Sequence, residues 1–264
     1  MTSAKTMRGS NARTLGVLVL TIVVALAAGC ASKPELIAPR VHVAPYNTVH
    51  GDALWAVAPL RNESGTSLVD ELAVSDEIVS AIAQVRGIRC LPLNRTIAAM
   101  RALELTSLDT PDDLKRLAIE LGVDGLVVGS VTAYDPYDPP TLGLALALYS
   151  RPGRLDTRAT EPLDVRRLEY QPTDYQYFVN SSFDDAPASV ISEIVDARGH
   201  DVQMRIQEYA TGRTDAHSPL GWRRYRASMV LYTKFVAWHA VGRLVEHEWL
   251  RLARGPRLAG KPSR

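Results

Sequence analysis

The stretch "TLGLALALY", Thr141 to Tyr149, places Leu142, Leu144, Leu146 and Leu148 at every second position, with Gly143, Ala145 and Ala147 between them. A period of two belongs to a strand, so the leucines line one face of a sheet and the small residues line the other. The leucine face has to be buried, and the small face has room for a closely packed helix.

Upstream segments supply the rest of such a sheet. "ALWAVAPL" (Ala53 to Leu60) is an apolar run of strand length, closed by Pro59 and the turn-like "RNESG". "IRCLP" reads as a second short strand and "DGLVVGSVTAY" as a buried third. Between them, Ser67 is placed to cap a helix with Asp70 and Glu71 in its first turn, with Leu68, Leu72, Val79 and Ile82 as its inner stripe and Gly87 as its stop. "NRTIAAMRALEL" predicts a second helix. Thr110, Pro111 and Asp113 open a third, with Leu114, Leu117, Ala118 and Leu121 inward and Gly122 at its end. This order predicts an α/β fold over residues 51–150, a mixed sheet covered by helices.

Residues 151–183 read as a connector in which arginines alternate with acids, with "LDVRRLEY" as a possible short strand. A basic, aromatic binding loop is the alternative, but the acids largely neutralise it. Residues 184–254 are expected to form a carboxy-terminal helical hairpin packed on the sheet. Its first arm is "DDAPASVISEIVDARGHDVQMRIQEYATG". In the second arm Trp222, Tyr225, Met229, Tyr232 and Val236, then Trp238, Val241, Val245 and Trp249, recur at spacings of three and four. Apolar residues cover most of the circumference between Met229 and Val241, which predicts deep burial. A partner groove or a membrane-surface contact is the alternative, with Trp249 its indicator. Residues 255–264 are expected to be a disordered basic tail.

The amino terminus is a separate object. Lys5, Arg8 and Arg13 precede "LGVLVLTIVVALAAG", whose fifteen residues reach about 22 Å as a helix, short of a bilayer core of about 30 Å. Residues 1–29 therefore read as an export signal. Its end, "LAAGC", resembles the lipobox of bacterial lipoproteins, with Ala27 where the usual Leu would stand. The resemblance implies a diacylglyceryl group on Cys30 and cleavage ahead of it. The alternative is an ordinary secretory signal cut after Ala27. Residues 30–50, with Pro34, Pro39 and Pro45, are then expected to be an extended tether. Removing the signal takes the formal charge from +1 to −2, so attachment would rest on lipid rather than on electrostatics. Ala31 and Ser32, with no Asp after the Cys, favour the outer membrane, facing the periplasm.

Thirty basic residues against twenty-nine acidic ones leave no strongly basic face, so no nucleic-acid partner is expected. Besides Cys30, Cys90 is the only thiol, which excludes an intramolecular disulfide once Cys30 is acylated; it reads as a buried structural Cys. The sequence holds no P-loop, dinucleotide-binding Gly pattern, GxSxG or Cys pair. His239 and His247, eight apart beside Glu246 and Glu248, read as individually satisfied histidines rather than a metal site. No catalytic residue, metal or cofactor is expected.

"VAPLRNESG" and "LAIELGVDGLVVGSVTAYDPYDPPTLGLALALY" are similar to the periplasmic α/β domain shared in outline by the TolB amino-terminal domain and the curli-secretion lipoprotein CsgG. The similarity is closer to uncharacterised bacterial lipoproteins carrying a "GS(V)T.Y.PY.PP..GL.L.L" stretch, and covers about a hundred residues. It implies a noncatalytic scaffold or accessory factor of an envelope or secretion assembly, with the membrane and envelope proteins as partners. A cell-wall hydrolase-type enzyme, or a carrier of a small apolar ligand beneath the aromatic helix, is the alternative. The expected docking surface is the corner "YDPYDPP", through Tyr134, Tyr137, Pro139 and Pro140. Its prolines preset the backbone and its tyrosines offer large amphipathic area. The competing reading is that the corner only terminates one strand and aims the next.

Overall fold

A computed structural model of the chain describes residues 37–46, 51–151, 155, 183, 186–215 and 218–254. Among these, β1 (Ala53–Val57), β2 (Arg61–Asn62), β3 (Ile88–Cys90), β4 (Gly125–Asp135), β5 (Thr141–Ser150) and β6 (Ser189–Asp196) form one mixed sheet. Its order is β3-β1-β4-β5-β6, with β2 pairing β4 beyond the end of β1. The pairs β1–β3, β1–β4 and β2–β4 are parallel, while β4–β5 and β5–β6 are antiparallel. The helices are α1 (Glu71–Ala83), α2 (Leu93–Ala102), α3 (Pro111–Leu121), α4 (His200–Ala210), α5 (Arg224–Ala227) and α6 (Met229–Ala253). None of them is long and apolar enough to cross a membrane.

The period of two on β5 does what it demands. Leu142, Leu144, Leu146 and Leu148 are fully buried in the larger core, together with Trp55, Val127, Ile78 of α1 and Tyr232, Phe235 and Val241 of α6. The opposite face of β1 and β4, through Ala56 and Leu126, packs on Leu114, Leu117 and Ala118 of α3. The carboxy-terminal helix α6 thus lies against the sheet, as the aromatic stripe required.

Four expectations are corrected. First, α1 begins at Asp70, whose carboxylate accepts from the Ala73 amide at 2.9 Å, and Ser67 lies outside it. This start turns Val74, Ile78 and Ile82 inward and leaves Leu68 and Leu72 exposed. Second, residues 189–196, read as the first arm of the hairpin, form β6. Val190, Ile191, Ile194 and Val195 are β-branched and suit a pleated surface, and β5 offers them an unpaired edge. The first arm shrinks to α4. Third, the small face of β5 carries no helix over β6 among the described residues: α2 and α3 stop short of it, and Val190 and Ile194 stay exposed.

Fourth, residues 40–46 of the expected tether are extended but docked. Val43 bridges Arg86, with the Ala44 amide donating to Arg86 O and the Arg86 amide to His42 O, each at 2.9 Å. Trp249 Nε1 donates to Val43 O at 3.0 Å, and Arg213 donates to Arg40 O at 3.1 Å. The His42 ring lies over Gly242 of α6, where a Cβ would come within 2.4 Å of it. We call this segment the strap. The export signal, Cys30, "LDVRRLEY" and the basic tail lie outside the described residues.

Candidate functional site

The strand order places a switch point beside β1. The chain leaves β1 through α1 to β3 on one side, then returns through α2 and α3 to β4 on the other. In open α/β sheets the crevice at the carboxyl end of such a strand is where ligands bind. A cleft of about 450 Å³ opens there, within the size range of small-molecule sites.

Its floor is the small face of the sheet. Strand register sets two rows across it: Arg61, Ser130, Ala145 and Ser192 on β2, β4, β5 and β6, and next to it Val128, Ala147 and Val190. Ala58 to Leu60, Met100 of α2 and the loop Thr106 to Asp109 make the walls. The cleft is therefore the step where the α2–α3 layer ends, and it exists because Ala145, Ala147 and Ser130 are small. Ser130 is only 7% exposed and lines the floor. At the rim, the Arg61 guanidinium bonds Leu108 O at 3.0 Å and pairs with the Asp109 carboxylate, which also accepts from Ser107. The Ser107 hydroxyl first, then Arg61, hold the Asp109 carboxyl below the usual carboxylate range. Of the cleft residues, Ala145 and Ala147 stand out in the sequence as the small face of β5, whereas Arg61, Ser107, Asp109 and Ser130 do not; Arg61 could have been found only by knowing which strand β2 joins.

The expected docking corner divides. A bulge between Val131 and Ala133 reverses the facing of β4's last residues, so Tyr134 pairs with Leu142 and packs on the large core. Burial raises its phenol pKa. Pro140 is buried and Pro139 half-buried, whereas Tyr137 is 74% exposed. The Tyr137 amide donates to Asp135 Oδ1 at 3.1 Å, and Asp138 pairs with Arg226 of α5 at 3.4 Å, so the corner is held from both sides. Of the four residues, Tyr137 alone is presented outward.

The histidines of α6 serve separate contacts. His239 Nε2 meets Glu193 Oε2 at 3.0 Å, and His247 Nδ1 meets Val190 O at 3.0 Å. No group of three or more metal-ligating side chains occurs among the described residues. Glu248, with no exposed surface, accepts from Tyr46 at 2.8 Å, from Ser189 and from Arg251 at 2.8 and 2.9 Å. It closes α6 onto both the strap and β6. Cys90 is half-buried, and burial pushes its thiol up to about 12, so it is not a thiolate at neutral pH.

No protein-family model and no curated protein matches this chain. Among solved structures it is similar to the hypothetical protein CT253 from Chlamydia trachomatis, with 10% identity and a TM-score of 0.38 over 75% of this chain and 98% of that one. It is similar also to the LpoB C-terminal domain from Salmonella enterica, with 18% identity and a TM-score of 0.33 over 40% and 76%. Lipoprotein GNA1162 from Neisseria meningitidis gives 13% and 0.31 over 55% and 80%. Scores this low leave function to be read from the chain itself.

Proposed function

We propose that the chain is a lipoprotein anchored through Cys30 in the cell envelope, where its α/β body acts as a noncatalytic scaffold or accessory factor for an envelope assembly on the periplasmic side of the outer membrane. The observation that carries this reading is "LAAGC" closing an apolar run too short to span a bilayer. Two or three acyl chains would make attachment effectively permanent. The docked strap supports a close-held body: the ten residues from Cys30 to Arg40 reach at most about 35 Å. Tyr137, outward on a braced corner, is the contact proposed for the partner.

The test is made in a Gram-negative host with the full chain. Labelled palmitate should enter the wild-type protein and not Cys30→Ser, which should accumulate as precursor. A photo-crosslinking amino acid at position 137 should capture envelope proteins from the wild-type anchor. A mature chain beginning at Ala28 with a free thiol would overturn the anchor. Capture that persists undiminished when the crosslinker is moved to exposed Leu68 would overturn the corner.

A further inference from the structure

We propose that the switch-point cleft binds a small apolar monocarboxylate, with Arg61 and Ser130 holding the carboxylate and the Val128–Ala147–Val190 row carrying the apolar body. This goes beyond the anchor and the corner and does not depend on either. Arg61 and Ser130 are register partners on adjacent strands and line one wall-to-floor angle of the cleft. A guanidinium and a hydroxyl side by side are the donor pair that a carboxylate accepts from. Ser130 is 7% exposed as a residue and lines the cleft floor, so its hydroxyl is placed to donate to a group that enters there.

The rest of the cleft selects what the carboxylate is attached to. From Ser130 the floor runs into Ala145, Ala147, Val128 and Val190, with Met100 and Leu108 above, an apolar path away from the polar rim of Glu63, Thr106, Ser107 and Asp109. Asp109 now occupies Arg61. That ion pair is roughly half exposed on both sides, and exposed pairs contribute little, so a ligand carboxylate can exchange with it at small cost. Asp109 is thus a built-in competitor and sets the affinity.

Octanoate is the probe, with octylammonium as the control of equal apolar length and opposite charge. Titrated into isotope-labelled protein, octanoate should shift the amide resonances of Ser130, Ala145 and Ala147 saturably. Arg61→Gln and Ser130→Ala should each weaken it, the former by roughly tenfold or more, as expected for loss of a charged donor. Asp109→Asn should tighten it, an outcome that a merely structural loss at the rim would not produce. Absence of saturable shifts, octylammonium binding as well as octanoate, or weaker binding in Asp109→Asn would each overturn the proposal.

Discussion

The His42 ring lies 4.6 Å from the ring of Trp238, centroid to centroid, and its Nε2 is buried without a hydrogen-bond partner in the described structure. Burial is the main reason its pKa falls below the ordinary imidazole value; Arg40, Arg213 and His239 add repulsion, and the Trp238 backbone acts the other way. His239 is lowered too, again by burial first, against the pull of Glu193 and with Arg205 and Arg243 adding to the lowering. The unfolded chain then binds these protons more readily than the folded one. Their contribution to stability is complete above about pH 6.5 and is lost as the pH falls through that value toward the folded-state pKa, by at most about 1.4 kcal/mol per pH unit for each ring. The urea midpoint should therefore drop between about pH 7.5 and about pH 5.5, and His42→Gln should drop less. A midpoint that rises on acidification would contradict the sign. Little of this was visible in the sequence. His42 stood in a segment read as an extended tether, and Glu248 was weighed only as a metal ligand, because their partners are up to 202 positions away.

At the scale of elements, the strap and α6 hold each other through a missing side chain. Gly242 sits in the middle of a helix, where Ala would ordinarily stabilise by about 1 kcal/mol. Here the added Cβ would meet His42 Cε1 at 2.4 Å, and the ring would have to leave its slot. Gly242→Ala should accordingly speed hydrogen exchange at the Ala44 and Arg86 amides while those between β4 and β5 stay protected. Unchanged exchange together with higher stability would show that the strap is not seated there. Elements whose signals are local were legible. α3 starts at Thr110, whose hydroxyl accepts from the Asp113 amide at 3.2 Å, has Pro111 in its first turn, and ends at Gly122 with φ 63°. β6 was not, because Val190, Ile191 and Ile194 satisfy a helical spacing as well as a strand one over eight residues. The free edge of β5 settles the choice.

On the scale of the whole molecule, Tyr232 joins the parts. It is fully buried, its ring lies 5.8 Å from that of Phe235, and its hydroxyl donates to Val195 O of β6 at 3.0 Å. Tyr232→Ala should cost about 3 kcal/mol or more and lower a single unfolding transition, since α6 packs on α1, β5 and β6 at once. A melt that splits in two, or does not move, would mean that the helix is not part of the common core. Local chemistry in the sequence determined the leucine face of β5, the capped helix α3, the burial of the aromatic stripe and the α/β class. These follow from periods of two and 3.6 and from residues that satisfy backbone groups within a few positions. Tertiary structure decided the docking of the strap, the strand identity of residues 189–196, the inward turn of Tyr134 and the cleft beside Arg61. Each of these depends on which strands become neighbours, and that pairing is set by burial summed over the whole sheet rather than by any one segment.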